Sequence, residues 1–393
     1  MPAGDPDYDV IVVGLGAMGA AATWQLARTG ARTLGIDQYR PPHSLGSTHG
    51  DTRITRLAVG EGAAYVPLVR RSHELWRTVE AETGQSLLDL TGGLVLGSGR
   101  PQTPGRSFLT STIAVARAFG IEHEELGTAD LRRRFPPLLV GEDEQGYFEP
   151  SAGIVRPEAA VRAELRLAER AGAHLHTGER VLGFESRSDH VRVRTDQRSY
   201  RAETLIMAAG PWTQTLLPDR ADLFGVFRQV LYWFEVDGPD SYREYRRMPV
   251  FIWPVDGATG LGLYGFPAVD GPRGGVKLAT EQYTAPCSPE QVQRSVSDHE
   301  VAEMYRELVS GSLRGLRPRC VRTRTCLYTV TPDHHFVIDR HPRHRNVIIA
   351  SPCSGHGFKH SAAIGEIVSQ LATRGDSDLD IGPFSFARAS LTA

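Results

Sequence analysis

Runs of apolar residues near the start of the chain predict two strands on either side of one helix. A continuous, largely β-branched run over 9–13 is typical of a strand buried on both faces of a parallel sheet. Small and apolar residues over 20–28 predict a helix that ends near Gly30, and the run over 33–36 predicts a second strand. The order strand, helix, strand indicates the first unit of an α/β fold with a parallel sheet.

A glycine-rich turn lies between the first strand and the helix. It has the spacing G-x-G-x-x-G and consists of Gly14, Gly16 and Gly19, and Asp37 follows the second strand. In this context the glycines let the backbone approach a pyrophosphate at the helix N-terminus, and the acid accepts a hydrogen bond from a ribose hydroxyl. The motif therefore predicts a dinucleotide site but does not separate NAD from FAD.

Segments far downstream indicate that the dinucleotide-binding domain is discontinuous. An amphipathic helix is predicted over 158–171. Strands are predicted within 173–178, 180–186, 191–195 and 202–210. The last of these contains the apolar run 205–208 and ends at Gly210, as expected for a strand that returns to the first sheet.

A second region, 224–280, is rich in predicted strands, which lie within 224–236, 249–253, 260–266 and 274–280. A helical stretch with alternating charges is predicted over 289–313. We therefore predict an α/β fold in which a Rossmann-like domain is interleaved with a sheet-rich α+β substrate domain. The predicted boundaries are 1–85, 151–220 and 319–393 for the first domain, and 86–150 and 221–318 for the second.

Composition excludes several classes of protein. The 393 residues are 40% hydrophobic and 23% charged, as in an ordinary globular chain of two or three domains. A formal net charge of −2 gives no basic field for nucleic acid or an anionic membrane. The first ten residues lack the pattern of a signal peptide, and no run approaches the ~18 apolar residues of a membrane span. Four cysteines are too few for a disulfide scaffold, so we expect a cytoplasmic protein with reduced thiols.

Lysine is almost absent from the chain. Of 44 basic residues only Lys277 and Lys359 are lysines. Lysine is a compact charge whose pKa shifts readily, whereas arginine is a planar fork that stays charged. The two lysines are therefore either retained by chance or required at positions where a compact charge is needed.

The segment 49–56 concentrates polar chemistry. Arg53 and Arg56 are three residues apart, so they would share one face of a helical turn. Two guanidinium groups beside a loop rich in Gly, Ser and Thr suit the capture of a phosphate or carboxylate. A solvated basic turn would give the same pattern.

Two later segments also carry candidate chemistry. Cys326 has the basic neighbours Arg322 and Arg324, which favour a thiolate, although a small half-buried hydrophobic role is also open. Residues 353–359 follow an apolar strand and form a glycine-rich turn before a predicted helix. Backbone N–H groups and Lys359 then lie at a helix N-terminus, which is a site for an anion or an electron-rich ring.

Five blocks of sequence together resemble one family of flavoenzymes. They are GLGAMG, PPHSLGSTHGDTRITR, YGFP with GGVKL, TCLYTVTPDHHFVID and SGHGFK, in order along nearly the whole chain. They resemble the monomeric sarcosine oxidase and N-methyltryptophan oxidase family, within the wider D-amino-acid-oxidase-like superfamily. The resemblance implies a monomeric enzyme with covalent FAD. Such an enzyme oxidises the C–N bond of a secondary-amine amino acid to an imine and reduces O₂ to H₂O₂.

The resemblance also implies roles for individual residues, and no metal site. It assigns the thioether to the flavin 8α-methyl to Cys326, the substrate carboxylate to Arg56 and Lys359, and oxygen activation to Lys277. Further catalytic residues would be His49, Arg53, Tyr264 and Tyr328. The flavin-binding residues would be Gly14, Gly16, Gly19, Asp37, Ser47, Thr52, Val181, Gly210, Cys326, Gly355, Gly357 and Lys359. Both lysines of the chain thus coincide with functional lysines of the family.

Departures from the family pattern concern the substrate. Glu281 stands where many members have histidine, four residues after Lys277; positions i and i+4 of a strand share a face, so Glu281 is expected to point at the substrate. Pro352 and Cys353 replace a Gly–Phe pair, and bulky residues at 252 and 253 occupy a pocket wall. A cyclic imino acid or a modified tryptophan is therefore an alternative substrate. A flavin dehydrogenase, or a flavin-binding module without turnover, is an alternative activity.

Overall fold

Two large sheets and one small sheet form the framework of a computed structural model that describes residues 7–98, 107–254 and 262–392. In chain order the strands are β1 Tyr8–Val13, β2 Thr33–Asp37, β3 Arg53–Thr55, β4 Leu88–Asp89, β5 Gly93–Ser98, β6 Glu124–Leu126, β7 Glu144–Glu149, β8 Gly153–Val155, β9 His174–Thr177, β10 Val181–Ser186, β11 Val191–Thr195, β12 Ser199–Met207, β13 Gly225–Val236, β14 Val250–Pro254, β15 Gly262–Gly265, β16 Val276–Thr280, β17 Leu316–Val330, β18 Val337–His341 and β19 His344–Ser351.

The α-helices lie between and around these strands. They are α1 Ala17–Arg28, α2 Tyr65–Thr83, α3 Phe108–Ala118, α4 Thr128–Arg134, α5 Pro157–Arg170, α6 Thr213–Leu216, α7 Gly238–Arg246, α8 Asp298–Met304, α9 Ser310–Ser312, α10 Ser361–Thr373 and α11 Ala389–Thr392. Short 3₁₀ segments cover Gly210–Trp212, Pro218–Leu223, Gly357–His360 and Gly382–Phe384, and a π-helical turn covers Tyr305–Val309. No helix in the described ranges is both long and apolar enough to cross a membrane.

The first sheet has the topology of a dinucleotide-binding fold. Strands β19, β12, β1, β2 and β9 are parallel neighbours in that order, and antiparallel strands extend the sheet at β10, β11 and β18. In β1 the side chains of Val10 and Val12 pack on one core with α1, α5 and α10, while those of Ile11 and Val13 pack on another. The strand is thus buried on both faces, as the continuous apolar run predicts.

The second sheet is mostly antiparallel and has the order β17, β13, β16, β15, β14, β5, β7, β6. Its two faces differ because successive side chains of a strand point to opposite sides. Tyr232 and Phe234 of β13 lie in a large apolar core, whereas Leu231 and Trp233 lie on the other face with Cys326. A three-stranded sheet, β3, β8 and β4, completes the framework.

These sheets confirm the predicted fold class. The predicted boundary between 318 and 319 falls inside β17, which pairs with β13 from Leu316 to Val330. The exact division into domains stays a prediction. The predicted domains include residues 1–6, 99–106, 255–261 and 393, which lie outside the described part of the chain. The strand predicted within 260–266 is found at Gly262–Gly265, and residues 260 and 261 also lie outside it.

The helix predicted over 289–313 was wrong in its first third. The helix begins at Asp298, because Ser297 is an N-cap with extended backbone and forms a capping box with Glu300. An N-cap residue has non-helical dihedral angles, so the helix cannot continue in front of it. The alternating charges over 289–297 belong to turns and irregular chain.

Candidate active site

A cavity of about 770 Å³ extends from the glycine turn of the first sheet to the inner face of the second sheet. Gly14, Gly16 and Asp37 line one part of it, and Tyr264 and Lys277 line another. Parallel α/β sheets bind their ligands at the carboxyl ends of their strands, and the turn after β1 lies at such an end. The cavity therefore joins a nucleotide-sized cradle to a pocket with ionisable side chains.

The glycine turn fits a dinucleotide. Gly14 has φ +90°, and a Cβ there would lie 2.4 Å from the Ala208 carbonyl oxygen, so only glycine allows this close approach. A Cβ on Gly19 would lie 1.7 Å from the Gly14 carbonyl oxygen. Gly16, the N-cap of α1, has no side chain to cap the helix. The Ala17 N–H donates to Thr48 Oγ1 at 3.3 Å, and among the described residues the N–H groups of Met18 and Gly19 remain for an anion.

The other residues predicted to contact the nucleotide lie around the same part of the cavity. Asp37 accepts hydrogen bonds from the backbone N–H groups of Leu15 and Tyr39, each at 2.8 Å. Val181, at the start of β10, and Gly210, after β12, also line the cavity. The position of Asp37 at the carboxyl end of β2 is the one from which an acid reaches a ribose hydroxyl in this fold.

Lys277 projects from β16 into the loop that follows Ser47. Its Nζ donates hydrogen bonds to the carbonyl oxygens of Gly50 (2.8 Å) and Thr52 (2.7 Å), and lies 3.2 Å from Thr52 Oγ1. The amine is buried and lies 4.4 Å from the centroid of the Phe266 ring. Burial and then the positive charge of Arg53 lower the pKa of Lys277 well below its usual value.

Arg53 connects the same loop to Cys326. Its guanidinium group donates to the carbonyl oxygens of Thr52 (2.9 Å) and Ser47 (2.7 Å), and Nη2 lies 3.6 Å from Cys326 Sγ. Cys326 is buried on β17, and its Sγ lies 3.5 Å from the Ser47 carbonyl oxygen. Both Ser47 and Arg53 line the cavity, so the thiol lies directly behind its wall.

The sequence indicated the wrong basic neighbours for this thiol. The guanidinium group of Arg322 bonds Asp51, and that of Arg324 bonds the Thr323 carbonyl oxygen at 3.1 Å. The cation beside Cys326 is Arg53, which comes from a distant part of the chain. Adjacency along a strand did not reveal this contact because pairing between distant segments creates it.

His49 and two tyrosines lie close to this group. His49 is buried, and burial, followed by the charges of Arg53 and Lys277, lowers its pKa to about 3, so the imidazole is neutral at physiological pH. Its Nε2 and the hydroxyl of Ser47 have no hydrogen-bond partner among the described residues. Buried polar atoms without partners are costly, so these atoms fit a site that a polar ligand completes.

Tyr264 of β15 and Tyr328 of β17 face each other with their hydroxyl oxygens 3.3 Å apart. Burial raises the pKa of both phenols, so both remain protonated. Glu281 lies next to them in the cavity lining, and Tyr283 donates a hydrogen bond of 2.8 Å to its Oε2. Burial raises the pKa of Glu281. Glu281 follows β16 and faces the same cavity as Lys277.

The turn at Gly355 packs tightly against these acidic and phenolic groups. Gly355 has φ +83°, and a Cβ there would lie 2.8 Å from the Tyr283 hydroxyl oxygen and 3.1 Å from Glu281 Oε1. A Cβ on Gly357 would lie 1.5 Å from the Pro352 carbonyl oxygen. The two glycines are therefore required by close packing around the cavity, which both of them line.

Two buried cations, Arg56 and Lys359, line the cavity together with Glu281. Arg56 donates to both carboxylate oxygens of Glu61 (2.7 and 2.9 Å) and to the Ala58 carbonyl oxygen (2.6 Å). Lys359 donates to the His356 carbonyl oxygen at 2.6 Å, and burial lowers its pKa to about 8. Lys359 lies in the 3₁₀ turn before α10, at the helix N-terminus that the sequence predicts.

The predicted helical turn containing Arg53 and Arg56 was wrong. Arg53 begins β3, which pairs with β8, so the two side chains do not share one helical face. Arg53 contacts Ser47 and Cys326, whereas Arg56 contacts Glu61. The alternative of a solvated basic turn was wrong too, because Arg56 is buried.

Several residues around the cavity were not found from the sequence. Glu61 follows Arg56 by five positions between two glycines, and Tyr283 follows Glu281 by two, so their spacing gave a signal that was overlooked. Glu158, which bonds the loop at Gly50, is separated from it by 108 residues and carries no local signal.

Of the two residues predicted in a pocket wall, Ile252 lines the cavity as expected. Trp253 lies in the opposite core and donates to Glu144 at 2.5 Å.

The chain is similar in sequence and in fold to known flavoenzymes. A family model described as FAD dependent oxidoreductase matches residues 9–371. The chain is 42% identical over 381 residues to a monomeric sarcosine oxidase from Streptomyces avermitilis, covering 96% of this chain and 97% of that protein. It is 34% identical over 384 residues to an N-methyl-L-tryptophan oxidase from Yersinia pestis, covering 97% of this chain and 99% of that protein.

A solved structure with a similar fold is NikD, described as an unusual amino acid oxidase essential for nikkomycin biosynthesis. The two share a TM-score of 0.82 and 24% identity, over 96% of this chain and 97% of that one. The family model runs from the first strand to α10 and so includes both sheets and the cavity between them. These matches confirm the resemblance found in the sequence motifs, and the chain belongs to the family of FAD-dependent oxidoreductases that includes monomeric sarcosine oxidase and N-methyl-L-tryptophan oxidase.

Proposed function

We propose that this enzyme oxidises the C–N bond of a secondary-amine amino acid of the N-methyl type and uses O₂ as the electron acceptor. One observation carries the proposal most directly. Arg56 and Lys359 are two buried cations that line one cavity with Glu281 and the Tyr264–Tyr328 pair. A guanidinium fork and a compact ammonium suit one carboxylate. The names of the curated relatives point to the same class of substrate.

The two cations would fix the substrate carboxylate and thereby orient the reacting carbon. Because Arg56 already bonds both oxygens of Glu61, an incoming carboxylate has to share the guanidinium group or displace Glu61. Within the described part of the chain, Lys359 donates only to the His356 carbonyl oxygen, which leaves N–H groups for the substrate. Fixing a substrate in a reactive orientation can contribute several kcal/mol to the rate.

The amine has to be neutral when it reacts, and Glu281 is placed to accept its proton. Oε2 of Glu281 is bonded by Tyr283, and no described residue is a recorded hydrogen-bond partner of Oε1. The substrate then loses a proton from nitrogen and a hydrogen with its electron pair from carbon, which gives an imine that water hydrolyses. Bound FAD supplies the ring that accepts the electron pair and delivers it to O₂. O₂ takes up two electrons and two protons and leaves as H₂O₂.

Lys277 is proposed to assist the oxygen step and Cys326 to form the covalent link to FAD. A fixed positive charge in a buried site stabilises an anion that develops nearby. The Cys326 thiol lies behind the cavity wall, beside Arg53 and the Ser47 carbonyl oxygen, on the same strand as Tyr328. A thioether at this point would fix the flavin between the two sheets. We also propose that the enzyme acts as a monomer on a free amino acid.

The test of the function uses purified enzyme and a panel of sarcosine, N-methyltryptophan, proline and pipecolate. We expect one of the N-methyl amino acids to bleach the flavin absorbance without oxygen, and to produce one H₂O₂ for each O₂ consumed in air. An enzyme that is bleached but returns its electrons only to an artificial acceptor would be a dehydrogenase. An enzyme that no amine bleaches would be a binding module, and the proposal would be wrong.

A cyclic imino acid is the second candidate substrate, and the environment of Glu281 favours it. Glu281 and Tyr283 add an acidic and a phenolic group to the cavity wall, and the branched side chain of Ile252 also lines it. A flat ring with an N–H group would suit this wall better than the small methyl group of sarcosine. Preference for pipecolate or proline over both N-methyl amino acids in the panel would establish this alternative.

A further inference from the structure

The peptide group between Gly50 and Asp51 lies between a carboxylate and an amine from two distant parts of the chain. Its N–H, on Asp51, donates to both oxygens of Glu158 at 3.2 Å. Its C=O, on Gly50, accepts from Lys277 Nζ at 2.8 Å. The preceding N–H, on Gly50, also donates to Glu158, at 2.6 Å. Glu158 and Lys277 thus bond opposite ends of one peptide dipole.

This arrangement couples the two side chains. A carboxylate at the N–H end of a peptide polarises the group and increases the negative charge at its carbonyl oxygen, which strengthens the bond from a cation there. The turn also has an unusual conformation, with φ +95° at Gly50 and φ +66° at Asp51. Aspartate adopts this region more readily than most residues other than glycine, and the bonds from the Gly50 and Asp51 N–H groups to Glu158 help to hold the turn in it.

The charges around Lys277 make Glu158 its main negative partner. The neighbouring positive group is Arg53, and Arg322 lies on the ring of Trp233, which Lys277 also contacts at 5.5 Å. His49 is neutral, as shown by its depressed pKa. The carboxylate of Asp51 is bonded by Arg322. Cys326 would contribute negative charge as a thiolate, but a thioether sulfur has no proton to lose.

We infer that Glu158 is the positioning residue of Lys277, which it holds in place and holds in the protonated state through the Gly50–Asp51 peptide group. The inference rests on the proposed function and adds to it. With Gly50 O, Thr52 O and Thr52 Oγ1 as acceptors, all three protons of the ammonium group are bonded within the protein. Lys277 then acts on oxygen as a fixed charge and does not donate a proton.

The composition of the chain allows a direct measurement. Since Lys277 and Lys359 are the only lysines, holoenzyme grown with ¹³Cε-labelled lysine gives two side-chain signals in NMR spectra. The signal that disappears in Lys277→Met belongs to Lys277, and the signal that remains belongs to Lys359. In Glu158→Gln we expect the titration midpoint of Lys277 to fall by roughly one pH unit or more, because the removed charge favours the protonated amine. The midpoint of Lys359 should not change, and it serves as an internal reference.

A matched control lies on the same helix. Glu164 of α5 is buried, and burial raises its pKa well above the usual value, which favours the uncharged form. Glu164→Gln changes a carboxyl group of the same helix that makes none of the contacts described for Glu158, and it should leave both midpoints unchanged. Glu158→Asp keeps the charge at a greater distance, and we expect a midpoint between those of wild type and Glu158→Gln. This variant also serves if Glu158→Gln does not fold.

The kinetic test separates the two halves of the reaction. The enzyme is first reduced without oxygen and then mixed with O₂. At pH values between the two midpoints, where Lys277 is protonated in wild type but not in Glu158→Gln, the variant should react at least about tenfold more slowly. Reduction by substrate should stay within about twofold of wild type, since the substrate groups are unchanged. A midpoint of Lys277 that is equal in wild type and Glu158→Gln would overturn the inference. Equal losses in both half-reactions would show a general structural role and overturn it as well.

The outcome for Lys277 itself distinguishes this inference from the proposed function. If Lys277→Met reacts with O₂ as fast as wild type, the proposed role of Lys277 fails, whatever the NMR midpoints show. If Lys277→Met is slow but Glu158→Gln changes neither midpoint nor rate, the inference fails and the proposed function stands. If Asp51→Asn shifts the midpoint and Glu158→Gln does not, Asp51 is the negative partner and the inference is wrong.

Discussion

The carboxylate of Glu61 accepts hydrogen bonds from Arg56 through both of its oxygens, at 2.7 and 2.9 Å. Arg56 is buried, and its charge, together with that of Lys359, holds the pKa of Glu61 far below its usual range although burial alone would raise it. Glu61 is therefore ionised over the whole working pH range. It occupies the position on the guanidinium group that a substrate carboxylate would need.

Replacing Glu61 by glutamine should strengthen the binding of a simple carboxylate. Acetate would then compete with a neutral amide and no longer with a charged group for Arg56. Since a hydrogen bond to a charged group contributes roughly 1.5–3 kcal/mol, we expect the Kd of acetate to fall by at least about tenfold. Titration of the flavin absorbance with acetate measures it. Glu74→Gln, which removes one of the two carboxylate partners of the more exposed Arg71, should have no effect; weaker acetate binding in Glu61→Gln would contradict the prediction.

Binding of a carboxylate should weaken as the pH rises through about 8, because burial lowers the pKa of Lys359 to about 8. The protonated form exists below that pKa, so affinity is greatest at lower pH and falls above it by up to about tenfold per pH unit. The Kd of acetate between pH 6 and 10 checks this. In Lys359→Arg the charge persists over this range, so the fall should disappear. A wild-type affinity that is constant with pH would count against the assignment of Lys359.

Gly355→Ala should lower the free energy of unfolding by more than the positive φ of this residue alone would cost, because the added methyl group would contact residues at the substrate end of the cavity. Gly355 has φ +83°, and its Cβ would lie 2.8 Å from the Tyr283 hydroxyl, whereas Gly30 has φ +84° and its Cβ would meet nothing within 4 Å. Both Gly→Ala changes cost about 1 kcal/mol for the positive φ. Only Gly355→Ala adds contacts with Tyr283 and Glu281. We expect it to lose a further ~1–3 kcal/mol of unfolding free energy.

Denaturant unfolding of the two glycine variants gives this difference, and substrate affinity provides a second comparison. Gly30→Ala should bind substrate normally, and Gly355→Ala should bind it at least about tenfold more weakly, which corresponds to about 1.4 kcal/mol. If the two variants lost the same free energy of unfolding and substrate affinity were unchanged, the prediction would be wrong. Tyr283 and Glu281 would then move away from the added methyl group at little energetic cost.

Acid precipitation tests the covalent link. Yellow colour should remain with the precipitated wild-type protein and with Cys353→Ala, and should pass into the supernatant with Cys326→Ala. Cys353 is the matched control because it lines the cavity, and its Sγ accepts a hydrogen bond from the Thr329 N–H at 3.4 Å. Retention of colour in Cys326→Ala, or its loss in Cys353→Ala, would assign the link to another atom.

The sequence predicted well what depends on local pattern. The strand over 9–13, the glycine turn and the helix after it were predicted correctly, since a continuous apolar run and three glycines have few other structural solutions. The helix over 361–373 also matches, and Lys359 precedes it as expected. Motifs with a fixed local geometry therefore placed the nucleotide cradle and the turn at Gly355.

Contacts between distant segments could not be predicted in this way. Arg53 was assigned to a helical turn but belongs to a strand, because β8 pairs with it from 100 residues away. The partner of the Cys326 thiol and the partner of the Gly50 N–H come from segments more than 100 residues distant. Trp253 was expected in the pocket wall together with Ile252, but adjacent residues of a strand point to opposite faces, and the position of β14 in the sheet decides that Ile252 faces the cavity.

The strand β17 has a consequence for how the mature enzyme is made. It is the last strand of the second sheet to be synthesised, and it carries both Cys326 and Tyr328. If FAD is attached through Cys326 as proposed, a chain that has not yet added β17 lacks the thiol that would form the link. Permanent attachment would then follow the pairing of β17 with β13, so that colour retained in acid would mark a chain in which this strand has already paired.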